Sequence, residues 1–223
     1  MSATASGRRE GIGMTSPRTR SRMVTRLRRQ GIRDGAVLGV MGRLPRHRFL
    51  DEALASRAYE DCALPIGHGQ TLSRPYAVAR MTELLLEGGR PRRVLEVGTG
   101  SGYQTAVLAS LVGEVYTVER LAPLLKRAML NLRGLGLANI RFNHVDGHAG
   151  WPTHAPYDGI LVTAAGDRVP AGLAGQLAEG GRLVMPVGQG RRQRLLRLTR
   201  RGGRLEEERL EDVHFVPLRP GRR

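Results

Sequence analysis

The stretch Val94-Leu95-Glu96-Val97-Gly98-Thr99-Gly100-Ser101-Gly102 constrains this chain more than any other. A short apolar strand, Val94 to Val97, runs into a turn with glycine at every second position, and Tyr103 to Leu111 continues with helical periodicity. Glycines let a backbone adopt conformations other residues resist and come close to a ligand. The pattern then alternates. Strands are predicted at Glu114 to Val118, Ile140 to Val145, Asp158 to Thr163 and Arg182 to Val187, and helices at Pro123 to Arg133 and Pro170 to Leu177. Such alternation predicts an α/β fold with a mostly parallel, doubly wound sheet. Leu195 to Thr199 and Leu205 to Leu210 flank Gly202-Gly203 and predict a C-terminal antiparallel hairpin, with Val213 to Val216 as a last short strand.

The N-terminal part reads differently. Residues 1–22 are rich in Ser, Thr, Gly and Arg and are expected to form a disordered basic tail, leaving 23–223 as a single domain. Met14 and Met23 are both candidate starts of the folded part. Helical periodicity begins at Met23 with Val24, Leu27 and Ile32. Asp34 is placed to cap a second helix through Val37, Leu38, Val40 and Met41, which Pro45 ends. A short helix is expected around Phe49 to Ala55. Residues 59–74 read as a Gly-rich polar loop of the kind that carries function. Ser73, before Pro75, is placed to cap a helix through Ala77 to Leu86.

Composition narrows the class. A hydrophobic fraction of 40% allows a real core, and only 4% aromatics means aliphatic side chains fill it. No apolar run reaches the length of a membrane span, and no secretory signal is visible. Cys62 is the sole cysteine, which excludes an intramolecular disulfide and fits a cytoplasmic location; it reads as a small buried hydrophobe. The net charge of +16 raises a nucleic-acid partner. Against that, the arginines are spread over Arg8 to Arg33, Arg90 to Arg93, Arg191 to Arg204 and Arg219 to Arg223, with no interleaved aromatics for base stacking. Solvated arginine-rich faces are the preferred reading. Attraction of acidic protein substrates is a third.

The second strand of the alternation ends at Glu119, 21 positions after Gly98. A carboxylate there can accept both hydroxyls of a ribose. Arg120 stands beside it. A dinucleotide fingerprint would want glycine where Tyr103 stands, which makes a nicotinamide oxidoreductase a distant alternative. Gly98-x-Gly100-x-Gly102 instead resembles the first motif of Rossmann-like methyltransferases, which bind S-adenosylmethionine. Asp146-Gly147 stands either at the adenine contact of that family or in an ordinary turn. After the fourth strand, Val162-Thr163-Ala164-Ala165 lacks the Asn/Asp-Pro-Pro-aromatic motif of amino-directed methyltransferases. No metal site is expected. His144, His148 and His154 are read as loop or surface residues.

Over about residues 24 to 218, the chain resembles the bacterial protein-L-isoaspartate O-methyltransferases. Four stretches carry the likeness: Ala63 to Ser73, Leu95 to Gln104, Val162 to Ala165 with Pro170, and Leu183 to Gly188 with Phe215 to Leu218. The first is the most specific. The resemblance implies methyl transfer from S-adenosylmethionine to the carboxylate of isoaspartyl residues in damaged proteins and peptides. It implies Ser73 as the active-site serine, with Thr71 beside it facing the cofactor. It implies Gly98, Thr99, Gly100, Ser101, Gly102, Glu119 and Arg120 as the cofactor cradle, with Asp146 and Gly147 at the adenine. Ile66, Thr163, Ala164 and Ala165 are implied as the substrate wall. One departure is Arg74, where members commonly carry Gln or Ala. The alternative is an RNA or small-molecule methyltransferase; a nucleic-acid-binding protein with a vestigial cofactor fold is a third reading. A monomer is the working expectation.

Overall fold

A computed structural model describes residues 13–223. Of the expected tail, residues 1–12 lie outside the described residues. The remainder is ordered structure: a short turn at Gly13–Thr15 and then helix α1, Pro17–Arg29, six residues earlier than Met23. The early start has a local cause. The Ser16 side chain accepts the Thr19 N–H, and Pro17 presets the first helical turn. It also has a tertiary one, because buried Arg20 donates to the Arg43 carbonyl at 2.8 Å. Arg43 ends helix α2, Gly35–Arg43, and Asp34 caps it as expected, accepting the N–H groups of Ala36 and Val37 at 2.8 and 3.0 Å. Met23 and Leu27, one turn apart, are fully buried beneath α1.

Two 3-10 turns, Arg46–Phe49 and Glu52–Arg57, replace the single short helix expected near Phe49. The polar loop that follows is largely a tight antiparallel hairpin. Strand β1 is Leu64–Gly67 and β2 is Gln70–Leu72, with Leu64 opposite Leu72 and Pro65 opposite Thr71. Cys62, just before it, is only half-buried. Helix α3 is Pro75–Leu86.

The rest is the predicted alternation: β3 Arg93–Val97, α4 Tyr103–Ala109, β4 Glu114–Glu119, α5 Ala122–Leu132, β5 Ile140–His144, β6 Tyr157–Val162, α6 Ala171–Gly175, β7 Leu177–Gln189, β8 Arg192–Arg201 and β9 Arg204–Val213. Seven strands form one sheet in the order β5-β4-β3-β6-β7-β8-β9. The first five run parallel, and β8 and β9 return antiparallel around Gly202-Gly203. Helix α6 is shorter than expected because Leu177 already pairs with Tyr157 as part of β7. The predicted strand at Val213 to Val216 does not form as such. The segment instead crosses the loop after β6, where Ala165 bonds Val216 and Leu218 through its backbone.

The strands are buried on both faces, as a parallel sheet requires. Val94, Val115, Leu161 and Val184 face α3, α4 and α5; Leu95, Tyr116, Ile160 and Leu183 face α6 and Trp151. The chain steps outward from β3 to β4 and β5, then crosses back to β6 on the other side of β3. That reversal opens a crevice at the carboxyl ends of β3 and β6, where ligands of such sheets bind.

If α1 belongs to the cooperative unit, Leu27→Ala should lower the unfolding free energy by about 2–5 kcal/mol, measured by urea denaturation. A change below about 0.5 kcal/mol would show that α1 folds apart from the sheet.

Candidate active site

The turn after β3 is held from both neighbouring strands. Gly98 has φ +95°, and a side chain there would run into the Thr163 hydroxyl. That hydroxyl, just past β6, donates to the carbonyls of Gly98 and Val97 at 2.8 and 3.1 Å. From the β4 side, the buried Glu119 carboxylate accepts the Gly100 N–H at 2.9 Å and the Leu121 N–H at 3.0 Å. It does not pair with Arg120, whose Nε donates to the Gly221 carbonyl at 2.9 Å.

The turn's N–H groups are largely spent inside the protein. Gly98 and Thr99 donate to the Val118 carbonyl, Gly100 to Glu119, and Gly102 to the Thr99 carbonyl. A pyrophosphate needs such groups pointing at it. A nucleoside without phosphates needs only close backbone approach, hydroxyl acceptors and apolar walls, and those are what the turn presents.

Below the turn lies a closed chain of side chains. Thr105 and Thr117 each donate to Glu96 Oε2 at 2.6 Å, so the 2.7 Å bond between Thr117 and Thr99 has Thr99 as donor. Glu96 is wholly buried and its Oε1 has no partner. Burial pushes its carboxyl up to about 8, against the pull of the two hydroxyls and aided by the charge of Glu119. Its environment therefore favours the neutral acid.

Facing the turn is the β1–β2 hairpin. Buried Ile66 stands over Gly100, with its Cδ1 3.4 Å from where a Cβ would be. The Ser73 that follows β2 is not a helix cap: Arg74 occupies that position and Pro75 begins α3. Its hydroxyl forms no hydrogen bond among the described residues and lines the cleft. Its carbonyl is fixed by Arg46 Nη2 at 2.7 Å, and Arg46 Nε holds the Ala58 carbonyl at 2.7 Å. Arg46 is completely buried, lies 4.9 Å above the Tyr103 ring and is lowered by burial to about 10, so it remains a cation. The sequence contains no local signal for this role, because it depends on tertiary burial.

One cleft of about 840 Å³, open solvent at its mouth included, collects most of the predicted residues. Ile66, Thr71 and Ser73 line one side; Gly98, Thr99, Gly100 and Ser101 form the floor; Glu119, Arg120, Gly147, Thr163 and Ala164 complete it. Three predicted residues stand apart. Gly102, φ +95°, opens α4 and packs against Ala128 and Leu132. Asp146 shapes the next turn, with Oδ1 accepting His148 N–H and Oδ2 accepting Gly221 N–H. Burial acts to raise its carboxyl, but those bonds outweigh it and hold the group below its ordinary range. Ala165 lies in an adjoining cleft with Val216 and Pro217. Missing from the sequence reading were the roles of Val216 to Arg219, Leu121 and Tyr103, all of which line the main cleft. The histidines are dispersed: His144 on backbone carbonyls, His148 on Asp146, and His154 against Tyr116 and Trp151.

Residues 18–223 match the family described as protein-L-isoaspartate(D-aspartate) O-methyltransferase. The chain belongs to this family. It is 59% identical to the protein-L-isoaspartate O-methyltransferase of Halorhodospira halophila, over 95% of this chain and 96% of that one. Its identity to the Hahella chejuensis protein of the same name is also 59%, over 93% and 99%. Among solved structures, one protein-L-isoaspartate O-methyltransferase aligns with TM-score 0.80 at 32% identity, covering 89% of this chain and 65% of that one. A Plasmodium falciparum protein assigned to the same activity, solved with S-adenosyl-L-homocysteine, aligns with TM-score 0.78 at 28% identity, covering 90% and 97%.

The buried acid yields a pH test. The Glu96 carboxyl is raised in the folded state, so its contribution to stability is present below pH 4.5 and lost as pH rises toward about 8. Glu96→Gln, which mimics the neutral acid, should remove that loss. Its stability relative to the parent should rise between pH 5 and about 8, measured by denaturant midpoints across pH. A parallel pH dependence in both proteins would refute the neutral-acid assignment.

Proposed function

We infer that the protein transfers a methyl group from S-adenosylmethionine to the free carboxylate of L-isoaspartyl residues in damaged proteins and peptides. The observation that carries this reading is the meeting of two parts in one cleft: the Glu119-braced glycine turn and the hairpin ending at Ser73.

The cleft suits the cofactor. Glu119 spends one lone pair of each oxygen on backbone N–H groups and retains acceptor capacity for ribose hydroxyls. Val118, Leu121, Leu124 and Leu218 provide apolar walls, and Gly147, where a side chain would run into Val97, lines the cleft beside them. When bound, S-adenosylmethionine supplies an electrophilic methyl group on a positively charged sulfur.

An isoaspartyl carboxylate is already ionised at neutral pH and needs no general base. Ser73 is read as donating its free hydroxyl to that carboxylate, aiming one oxygen at the methyl carbon. With S-adenosylmethionine held by the Glu119-braced turn, the transfer would be a displacement in which that oxygen takes the methyl group and the carbon–sulfur electron pair stays on sulfur. Ile66 and the backbone at Thr163 and Ala164 exclude water and hold the side chain. Orientation of this kind lowers barriers by about 7–11 kcal/mol at best. The methyl ester is then open to attack by the neighbouring peptide nitrogen. Methanol leaves, a succinimide forms, and its hydrolysis returns part of the product to ordinary aspartate.

Charge and location fit the same reading. Many arginines are engaged by carboxylates, including Arg80 with Glu83 and Glu211, Arg197 with Glu87 and Glu208, and Arg201 with Glu206. This supports solvated faces over a nucleic-acid surface. Among the described residues no helix is long and apolar enough to cross a membrane. We read the molecule as a cytoplasmic monomer whose partners are isoaspartyl proteins.

Two substitutions should separate the halves of the site. Ser73→Ala should lower kcat on an isoaspartyl peptide about 10- to 100-fold, the worth of a hydrogen bond to a charged group, and leave cofactor affinity intact. Glu119→Ala should weaken S-adenosylmethionine binding at least tenfold or so, measured by calorimetry. An unchanged kcat in the first, or an unchanged affinity in the second, would remove that residue from its role.

A further inference from the structure

Beside the main cleft runs a groove that shares Thr71, Ser73, Thr163 and Val216 with it and is bounded elsewhere by Asp212 to Phe215. If the isoaspartyl side chain enters at Ser73, the residues flanking it in the substrate lie along this groove. Its lining carries three charged or titratable groups: Arg74, Asp212 and His214.

Arg74 differs from the other arginines near it. Arg80 is held by Glu83 and Glu211, and Arg194 by Asp212 at 3.4 Å. Asp61, also close, accepts the Tyr76 N–H and the Gln30 amide. The nearby carboxylates are thus engaged, and Arg74 has no carboxylate partner among the described residues. Its guanidinium instead lies 5.1 Å from the centroid of the Tyr76 ring. Stacking on an aromatic face restricts a guanidinium and leaves its edge free to donate. The result is a half-buried cation one residue from the serine, lining a groove whose one acid, the exposed Asp212, is paired with Arg194.

We propose that Arg74 determines substrate specificity by forming a cationic subsite for an acidic side chain next to the isoaspartyl residue. The residue before an isoaspartyl residue lies at the ordinary spacing of about 3.8 Å, and the one after it is a methylene farther because the chain there runs through the β-carbon, so an Asp or Glu on either side is short-range to the guanidinium while the isoaspartyl carboxylate meets Ser73. A Lys in that place meets like charge. The inference rests on the isoaspartyl reading of the cleft.

The test uses isoaspartyl peptides identical except for Glu, Gln or Lys at the neighbouring position, placed on each side in turn. kcat/KM is measured for the parent, Arg74→Gln and Arg74→Glu. On one side at least, the parent should favour Glu over Gln by about fivefold and disfavour Lys by a similar factor. The Glu-to-Gln ratio should shrink in ~0.5 M salt, fall to about one in Arg74→Gln and invert in Arg74→Glu. Equal rates on all peptides with the parent would overturn the proposal. So would a preference that survives Arg74→Gln unchanged, which would place its source in the overall charge. Methylation of none of the peptides would overturn the isoaspartyl reading itself, and this inference with it.

Discussion

The glycine turn after β3 is rigid because two side chains from the flanking strands hold its backbone. Glu119 takes the Gly100 N–H from one side and Thr163 donates to the Gly98 carbonyl from the other. Both residues sit at the carboxyl ends of strands that pair directly with β3. Sheet register therefore sets the clamp, and the clamp sets the floor of the cleft. It also accounts for the kind of nucleotide favoured, since a turn whose N–H groups are internally bonded has little left to offer a pyrophosphate.

The second half of the site depends on a buried charge. Among the described residues Arg46 has no ion-pair partner; it is held by two backbone carbonyls and the face of Tyr103. One of those carbonyls belongs to Ser73, and Tyr103 begins α4 directly after the glycine turn. A single guanidinium thus joins the end of the β1–β2 hairpin to the helix that follows the glycine turn. Its Nε and Nη2 are satisfied by those carbonyls while Nη1 is buried without a hydrogen-bond partner among the described residues, so the two bonds made restrain the Ser73 backbone and leave its hydroxyl free.

What the sequence made legible follows from how local each signal is. Strand–helix alternation, the Gly98 to Gly102 turn and Glu119 are short-range patterns, and each appears where expected. Helix α1 begins at the Ser16-Pro17 cap, ahead of the apolar periodicity that starts at Met23, because its first turn carries arginines rather than an apolar face. Ser73 offered two local roles, cap or site residue. Pro75 at the first helical position made Arg74 the cap and freed the serine. Asp146 and Gly102 sit in the right motifs, but their contacts are structural. Arg46 and the Val216 to Arg219 wall could not be read locally, because one depends on burial and the other on a terminal segment crossing a distant loop.

The most direct test of the central claim is methyl transfer from labelled S-adenosylmethionine to two peptides that differ only in carrying isoaspartate or ordinary aspartate at one position. The site described here predicts strong labelling of the isoaspartyl peptide and almost none of its partner. Equal labelling of both, or labelling of neither by protein that demonstrably binds the cofactor, would contradict it.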